Sequence, residues 1–350
     1  MATHNAAAAA AHLTRIATAV PPIVATADEI WTALGHTRGR AMPRLLNGEG
    51  ARTRHLAQPV SSLMAKRTQS QQTDAYLEHA RVLARAVCCD VLEQTNRRDD
   101  IGLIIGVSCT GVVLPSLDAE LIPVLELAPT VGRLPITELG CGGGVAGLAR
   151  AVDYLRAYPE RAVLLFAVEL PSLTFQPDDH SLDNLVAAMV FGDGAGAVLL
   201  RGGDAPHGFV IEHCGTALIP GGAGSLGYEL RDGGLRVVLS RELPQVVEAH
   251  LRHAVDAFLA EAGLSLSDID LVAAHPGGPR IFEAIERSLE LPPDALAASR
   301  RVFGDYANAS SAGIFFVLDA LQKSAASGRA LAIAFGPGLS IELALLRLPG

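Results

Sequence analysis

The stretch ELGCGGGVAG, from Glu138 to Gly147, places one cysteine directly before three glycines, and the residues that follow have helical spacing. A cysteine at the start of a helix lies at the positive end of the helix dipole, which lowers the pKa of the thiol and favours the nucleophilic thiolate. The glycines leave the nearby backbone bare, so a thioester can approach and backbone N–H groups can bind a developing oxyanion. We therefore interpret Cys141 as a candidate nucleophile, with a plain buried core thiol as the alternative.

The same glycines allow a second interpretation. Gly142, Gly144 and Gly147 fit the G-x-G-x-x-G pattern of dinucleotide-binding proteins, and Glu169 lies where that pattern asks for an acidic residue. However, the segment that would have to be the first strand contains Pro135, and no βαβ unit begins before it. Because a glycine pattern alone has many false positives, an NAD-binding oxidoreductase is the remote alternative.

The composition predicts a large α/β enzyme. The chain has 350 residues, of which 49% are hydrophobic and 19% charged, and it contains 35 glycines. This length predicts two domains or two related halves around a large core. The net charge of −9 argues against a nucleic-acid partner. An anionic substrate would therefore need a local basic patch.

The cysteines and the apolar runs indicate the cellular location of the protein. The five cysteines show no C-x-x-C or Cys/His metal spacing, which predicts reduced thiols in the cytoplasm. The alanine-rich beginning of the chain predicts a frayed or helical leader rather than a signal peptide. No apolar run approaches the length of a membrane span, so we expect no stable association with a membrane.

The order of strands and helices indicates an approximate internal repeat. Short apolar runs predict buried strands, and these runs start at Ile101, Ala162, Ala195, Ile269, Ala330 and Ile341. Segments 73–94 and 243–263 predict amphipathic helices, and each is followed by an acidic turn and a buried strand. We therefore expect two related α/β halves, residues 1–207 and 208–350, joined in the glycine-rich segment 201–208.

Two further candidate site residues lie at the ends of predicted strands or helices. Ligands bind at strand ends in open α/β sheets. His275 ends an apolar run and is followed by Pro-Gly-Gly, which suits acid/base or hydrogen-bonding work; a structural histidine is the plainer alternative. Asn308 precedes a glycine-punctuated helix. It could be the N-cap of that helix or a neutral amide donor beside His275.

Taken together, these motifs resemble the type III polyketide synthases, the chalcone synthase-like branch of the thiolase superfamily. The resemblance covers nearly the whole chain from about Leu13, in the family's order, and it implies a five-layered αβαβα fold built from two related halves. It rests on SCTGVVLPSLD, LPITELGCGGGVAGLARAVDYL, VFGDGAGAVLL, AAHPGGPRIFEAIE, GDYANASSAGIFFVLD and IAFGPGLSIELALL.

By this resemblance, Cys141 carries the acyl chain, and His275 and Asn308 complete the catalytic trio. Phe191 matches the aromatic gatekeeper between the coenzyme A tunnel and the cavity. Leu114 falls where the family sends a side chain across the interface into the partner's cavity, which implies a homodimer.

The resemblance also implies which residues surround the substrate. A second gatekeeper phenylalanine is replaced by Val237, and Tyr228 stands where glycine is common and narrows the cavity. Arg44 matches one of the basic residues of the tunnel, whereas its two lysine companions are missing. The remaining substrate-binding positions implied in this way are Cys109, Thr174, Gly336 and Pro337.

The implied reaction is acyl transfer from acyl-CoA, extended by malonyl-CoA, with no metal or redox cofactor. The motifs look most like bacterial alkylpyrone and alkylresorcinol synthases, which implies a fatty acyl starter. A β-ketoacyl-ACP synthase III, with one condensation and a carrier-protein partner, is the close rival. A non-enzymatic protein that kept only the fold is a third alternative, although it would not need the catalytic trio.

Overall fold

All of the apolar runs that predict buried strands are strands in the computed structural model, which describes residues 10–35, 50–93, 98–203 and 208–349. The strands before residue 208 are β1 (Ala11–Ala19), β2 (Ile23–Thr26), β3 (Thr53–Leu56), β4 (Ile101–Val107), β5 (Gly132–Ile136), β6 (Ala162–Glu169) and β7 (Gly194–Gly202). The helices there are α1 (Ala27–Ala33), α2 (Gln69–Leu92), α3 (Leu117–Val124), α4 (Gly143–Ala157) and α5 (Leu182–Val190).

The second part of the chain repeats much of this order. Its strands are β8 (Phe209–Leu218), β9 (Leu226–Arg231), β10 (Gly234–Leu239), β11 (Leu271–Ala274), β12 (Gly328–Gly336) and β13 (Ser340–Leu348). Its helices are α6 (Leu243–Glu261), α7 (Pro279–Leu289), α8 (Ala297–Tyr306) and α9 (Gly313–Lys323).

One sheet runs through both parts. Its nine strands among the described residues have the order β11-β12-β13-β8-β1-β7-β6-β4-β5. The two parts join where residues 11–13 of β1 pair with residues 209–211 of β8. Strands β4 and β5, β4 and β6, and β11 and β12 are parallel, so the carboxyl ends of β4 and β6 share one edge, as do those of β11 and β12.

The layers follow from the alternation of side chains along each strand. On β6, Val163 and Leu165 pack with α4 and α9 in the centre of the molecule, whereas Leu164 and Phe166 pack with α2 on the outside. On β12, the small alanines face the centre and Leu331 and its outward neighbours pack with α6 and α7. The β6 and β12 ends of the one sheet therefore form two layers around α4 and α9, with α2 outside one layer and α6 and α7 outside the other. This is the expected five-layered αβαβα fold from two related halves.

The predicted frayed or helical leader is wrong for residues 11–19, which form β1 in the middle of the sheet. Ala11, Leu13 and Ala17 are buried on alternate positions, and the β-branched Thr14 and Ile16 favour a strand. The alanine run hid this alternation. Residues 1–9 and 204–207 lie outside the described residues, so the division at 207/208 stays a prediction.

No helix of the described residues is both long and apolar enough to span a bilayer.

Candidate active site

Cys141 lies in a tight 3-10 turn, Gly140–Gly142, that leads directly into α4. The turn needs its glycines, because Gly140 has a φ of +48° and a Cβ there would lie 2.7 Å from Pro337 Cδ. A Cβ on Gly142 would lie 3.3 Å from Gly336 Cα. Gly336 and Pro337 therefore support the cysteine turn from behind, and the sulfur is held at a helix N-terminus as predicted.

A matching turn, residues 310–312, leads into α9 and meets the cysteine turn in the centre of the molecule. Ser310 Oγ lies 3.6 Å from Cys141 Sγ. A Cβ on Gly144 would lie only 2.4 Å from the carbonyl oxygen of Ser311. The two related halves thus place the starts of their central helices side by side.

These contacts exclude the dinucleotide interpretation of the glycine pattern. The space beside Gly144 is filled by the backbone of the second turn, and a Cβ on Gly147 would lie 2.7 Å from Leu165 Cδ1. Glu169 is fully buried and accepts a hydrogen bond of 2.6 Å from Thr110 Oγ1, so it is not available to a ribose. The glycines serve close packing within the protein and leave no space for a pyrophosphate.

His275 follows β11 and is held by its backbone, whose N–H donates to Ile333 O at 2.7 Å. The side chain is 3% exposed, and neither ring nitrogen has a hydrogen-bond partner among the described residues. Burial lowers the pKa of His275 to about 4, an effect that the nearby Asn308 side chain opposes. The imidazole is therefore neutral at physiological pH, and its nitrogens are free for a ligand.

Asn308 does not cap α9, so the N-cap alternative is wrong. Its Oδ1 accepts a hydrogen bond of 2.8 Å from the Ser310 N–H, which leaves the amide Nδ2 as the free end of the side chain. Ala307 and Ser310, on either side, have φ of +61° and +46°. Such backbone strain persists where the surroundings hold it in place, and here it fixes the direction of the amide.

The three predicted catalytic residues line one cavity of about 310 Å³, together with Phe191. The rest of the wall is mainly apolar, which suits an acyl chain. Apolar lining residues are Leu182, Val186, Val190, Leu226, Leu239, Leu243, Ile281 and Phe335. Arg241 and Arg280 also line it, and both side chains are exposed, so the cavity opens to solvent beside two cations.

The surroundings of Cys141 favour the thiol in the resting chain. Burial raises the pKa of Cys141 to about 11, and the charge of Glu169 acts in the same direction. The nearby side chains of Ser310 and Asn308 lower the pKa of the sulfur and so favour the thiolate. A base close to the sulfur is needed for a reactive anion at neutral pH, and His275 in the same cavity is suited to that task.

Two other predicted pocket residues, Cys109 and Tyr228, lie close to the cysteine turn. Cys109 Sγ is 3.4 Å from Ser310 Oγ, so both sulfurs approach the same hydroxyl. Tyr228 lies beside Thr174 and within electrostatic range of Cys109, and its burial raises the pKa of the phenol. The cysteine turn, β9 and the segment after β4 therefore meet at one place.

The remaining predicted residues lie farther from the sulfur. Val237 and Thr174 line a second, small cavity of about 20 Å³ that Phe191 separates from the larger one. Leu114 does not reach its own cavity and is 96% exposed. Arg44 lies outside the described residues, so its predicted role stays a prediction.

A buried polar cluster beside Cys141 was not predicted from the sequence. Glu169 accepts hydrogen bonds from the backbone N–H groups of Cys109 and Thr110 and from the hydroxyl of Ser311. Burial raises the pKa of Glu169, while these donors lower it. Ser310 Oγ links the cluster to Cys141. One feature of the sequence could have indicated this cluster. Glu169 ends a fully apolar strand, and a carboxylate buried there requires hydrogen-bond partners.

Comparison with known proteins identifies the family. Residues 56–205 match the N-terminal domain of chalcone and stilbene synthases, and residues 211–349 match their C-terminal domain. A 1,3,6,8-tetrahydroxynaphthalene synthase of Streptomyces peucetius subsp. caesius is 39% identical, over 87% of this chain and 82% of the relative. A putative chalcone synthase of Bacillus subtilis (strain 168) is 34% identical, over 87% and 88%.

A solved structure agrees over the whole fold. The crystal structure of 1,3,6,8-tetrahydroxynaphthalene synthase from Streptomyces coelicolor A3(2), a bacterial type III polyketide synthase, matches with a TM-score of 0.91 and 32% identity. The match covers 97% of this chain and 99% of that one. Together with a buried cysteine, an imidazole and a carboxamide around one apolar cavity, these matches show that the chain belongs to the chalcone and stilbene synthase family, the type III polyketide synthases.

Proposed function

We propose that this protein builds a polyketide by decarboxylative condensation of malonyl-CoA units on a chain held as a thioester of Cys141. The observation that carries the proposal is the single cavity shared by Cys141, His275 and Asn308. An acyl transfer of this kind needs a nucleophile, a proton acceptor and a neutral hydrogen-bond donor, and these side chains supply one each.

In the loading step, Cys141 gives its proton to His275 and attacks the carbonyl carbon of an acyl-CoA. A new C–S bond forms, the bond to the coenzyme A sulfur breaks, and the released thiolate takes the proton back from His275. The acyl group is then a thioester of the protein. The buried position of the sulfur keeps water from this thioester.

In the extension step, malonyl-CoA binds in the same cavity and loses carbon dioxide. The electron pair of the broken C–C bond forms the enolate of acetyl-CoA, whose oxygen receives hydrogen bonds from His275 and from Nδ2 of Asn308. Both donors lie in a largely apolar cavity, where such bonds are stronger than in water.

The enolate carbon then attacks the carbonyl of the Cys141 thioester. A C–C bond forms, the C–S bond breaks, and the Cys141 thiolate is regenerated while the extended chain leaves on coenzyme A. This chain can load again on Cys141, so the cycle repeats. The proposed steps consume only coenzyme A thioesters and need no metal or redox cofactor.

We further propose that the starter unit is itself malonyl-CoA. Two relatives described above are tetrahydroxynaphthalene synthases, and that skeleton can be assembled entirely from two-carbon units with oxygen on alternate carbons. The cavity of about 310 Å³ supports this choice, because it is at the small end of the range of about 300–1,000 Å³ for ligand pockets. Part of it must also hold the pantetheine arm.

The fatty acyl starter and the alkylpyrone or alkylresorcinol product expected from the sequence stay a prediction. One assay decides between the malonyl and the fatty acyl starter. Purified protein is incubated with isotopically labelled malonyl-CoA, with and without fatty acyl-CoA, and the products are identified by mass spectrometry. Our proposal expects a product from malonyl-CoA alone. A product that appears only with fatty acyl-CoA would support the other starter. Strict dependence on acyl carrier protein would reject both in favour of a β-ketoacyl-ACP synthase III-like reaction.

Coenzyme A thioesters carry phosphates, and the protein as a whole is acidic. Arg241 and Arg280 meet the need for a local basic patch, because both line the cavity and both are exposed to solvent. We propose that they hold the phosphates at the entrance.

We also propose that the protein works as a homodimer. Leu114 is 96% exposed and Val112 47% exposed, so the segment after β4 presents apolar side chains to solvent in the single chain. A second copy of the chain would remove this apolar surface from water, in the place that the family resemblance implies.

A further inference from the structure

The N-terminal half of α2 lies behind two segments of the site, and two of its side chains reach them. Gln72 and Tyr76 are four residues apart and therefore share one face of the helix. Gln72 is 9% exposed and Tyr76 is 1% exposed, so the polar groups of both side chains have left bulk water and require partners within the protein.

Gln72 holds the turn of the β9–β10 hairpin. Its Nε2 donates to Gly233 O at 2.9 Å. A Cβ on Gly234, whose φ is +113°, would lie 1.8 Å from Gln72 Oε1, so the amide packs directly on the backbone of the turn. The hairpin is separate from the nine-stranded sheet and depends on such contacts for its position. Tyr228 and Val237 face each other on its two strands.

Tyr76 holds the segment that follows β4. Its hydroxyl donates to Ser108 Oγ at 2.7 Å, and Ser108 Oγ in turn lies 3.5 Å from Glu169 Oε2. A Cβ on Gly111 would lie 2.3 Å from the aromatic ring, so the backbone of this segment rests on the ring. Cys109 is part of the same segment, and its N–H donates to Glu169 at 3.1 Å.

We propose that Gln72 and Tyr76 form a clamp, the α2 clamp, that positions one wall of the cavity and the polar cluster beside Cys141, and thereby controls both chain length and chemistry. Gln72 acts through the hairpin on Leu226 and Leu239, which line the cavity proposed to hold the growing chain. Tyr76 acts through Ser108 on the polar cluster beside Cys141. Both are positioning residues, since neither lines the cavity. This inference rests on the proposed polyketide activity for its functional part.

The two halves of the clamp predict different kinetic effects. Tyr76→Phe removes only the hydroxyl and keeps the ring under the following segment, so it should lower kcat about three- to tenfold, the effect of one hydrogen bond, without changing KM. Gln72→Ala frees the turn of the hairpin and should change the ratio of longer to shorter products. A role in global stability alone would produce neither the kcat-against-KM split nor the shift in product ratio.

Two further measurements do not require an active enzyme. Amide hydrogen exchange in the hairpin turn, residues 231–235, should accelerate about three- to tenfold in Gln72→Ala, because one hydrogen bond no longer holds the turn closed. Alkylation of Cys109 by iodoacetamide, followed by peptide mass spectrometry, should accelerate in Tyr76→Phe, because the segment that carries this thiol is released.

Matched controls are Gln322→Ala and Tyr158→Phe, which change an exposed glutamine and an exposed tyrosine away from the cavity. Both should behave as wild type in all four measurements. The clamp would be overturned if hairpin amides of Gln72→Ala exchanged at the wild-type rate and Cys109 of Tyr76→Phe were alkylated at the wild-type rate. This holds whether or not the enzyme is active. Absence of any polyketide from the wild type would instead reject the proposed function, and the exchange and alkylation results would still decide the clamp.

Discussion

Phe191 and Asn308 are joined through their backbones, although they lie in different halves of the chain. The Asn308 N–H donates to Val190 O at 3.0 Å, and the Gly192 N–H donates to Asn308 O at 3.0 Å. The aromatic side chain at the cavity and the amide proposed to bind the enolate therefore keep a fixed relative position. The site is a product of both halves, and a relative movement of the halves would disturb it.

Replacing the nucleophile tests the role of Cys141. Cys141→Ala should abolish condensation and leave the fold intact, because it removes one small buried group at a turn whose glycines are unchanged. Product formation is measured by mass spectrometry and the fold by the thermal unfolding midpoint. Cys214→Ala, which changes a cysteine on β8 away from the cavity, is the control and should keep full activity. Retained product formation in Cys141→Ala would contradict the assignment.

The pH dependence of Cys141 alkylation tests its coupling to His275. Burial raises the pKa of Cys141 to about 11, so the resting sulfur is protonated at pH 7 and reacts there only if a nearby base accepts its proton during the attack. In His275→Gln, the rate of alkylation by iodoacetamide should therefore be low at pH 7 and rise steadily up to about pH 11. Wild type should already react at neutral pH. Superimposable pH profiles would show that His275 does not activate the sulfur.

The enolate site is tested by Asn308→Asp. This change keeps the oxygen that accepts from the Ser310 N–H and removes the two amide donors, so the backbone arrangement is retained. Decarboxylation of malonyl-CoA should fall by about two to three orders of magnitude, as expected for losing one donor to a developing oxyanion. Release of carbon dioxide from carboxyl-labelled malonyl-CoA measures it. An unchanged rate would remove Asn308 from the enolate site.

The basic mouth of the cavity is tested by comparing two thioesters. Arg241→Ala and Arg280→Ala should each raise KM for malonyl-CoA about three- to tenfold, a modest effect because both side chains are exposed. The N-acetylcysteamine thioester of malonate lacks the phosphates, so its kinetics should stay the same. Arg85→Ala changes an exposed arginine on α2 and serves as the control. An equal loss with both thioesters would assign these arginines a structural role.

The proposed dimer is tested at Leu114. Leu114→Asp places a charge in the surface that a second copy would cover, so light scattering after size-exclusion chromatography should show a monomer. Val82→Asp changes another exposed apolar residue, on the outer helix α2, and should remain dimeric. A wild type that is already monomeric would contradict the proposal.

Much of the fold was predictable from the sequence, because buried strands and central helices have strong apolar patterns. The runs at Ala162 and Ile341 form strands with nearly the predicted bounds. Strand β1 was missed because alanines lower the contrast between its two faces. The β9–β10 hairpin was missed because the side chains of β9 are only partly buried, and on β10 burial alternates only over Leu235, Arg236 and Val237, too short a run to predict a strand.

The site was predictable only where a residue type has distinctive neighbours. Cys141 and His275 are marked by the glycines that follow them, whereas Ser310 and Glu169 have no local pattern that reveals their partners. Their roles depend on contacts between segments more than a hundred residues apart along the chain. Gln72 and Tyr76 are of the same kind, since a polar residue on a helix face acquires a role only from what packs against it.

The most direct test of the central claim is mass spectrometry of the cysteine-containing peptides after rapid quenching of Asn308→Asp supplied with malonyl-CoA or another acyl-CoA starter. Because this variant keeps Cys141 and His275 for loading but lacks the amide donor for decarboxylation, extension should slow more than loading, and the acyl group is predicted to accumulate on Cys141 and on no other cysteine. An acyl group found on a different residue, or polyketide formed by the wild type with no acylation of Cys141, would contradict the account.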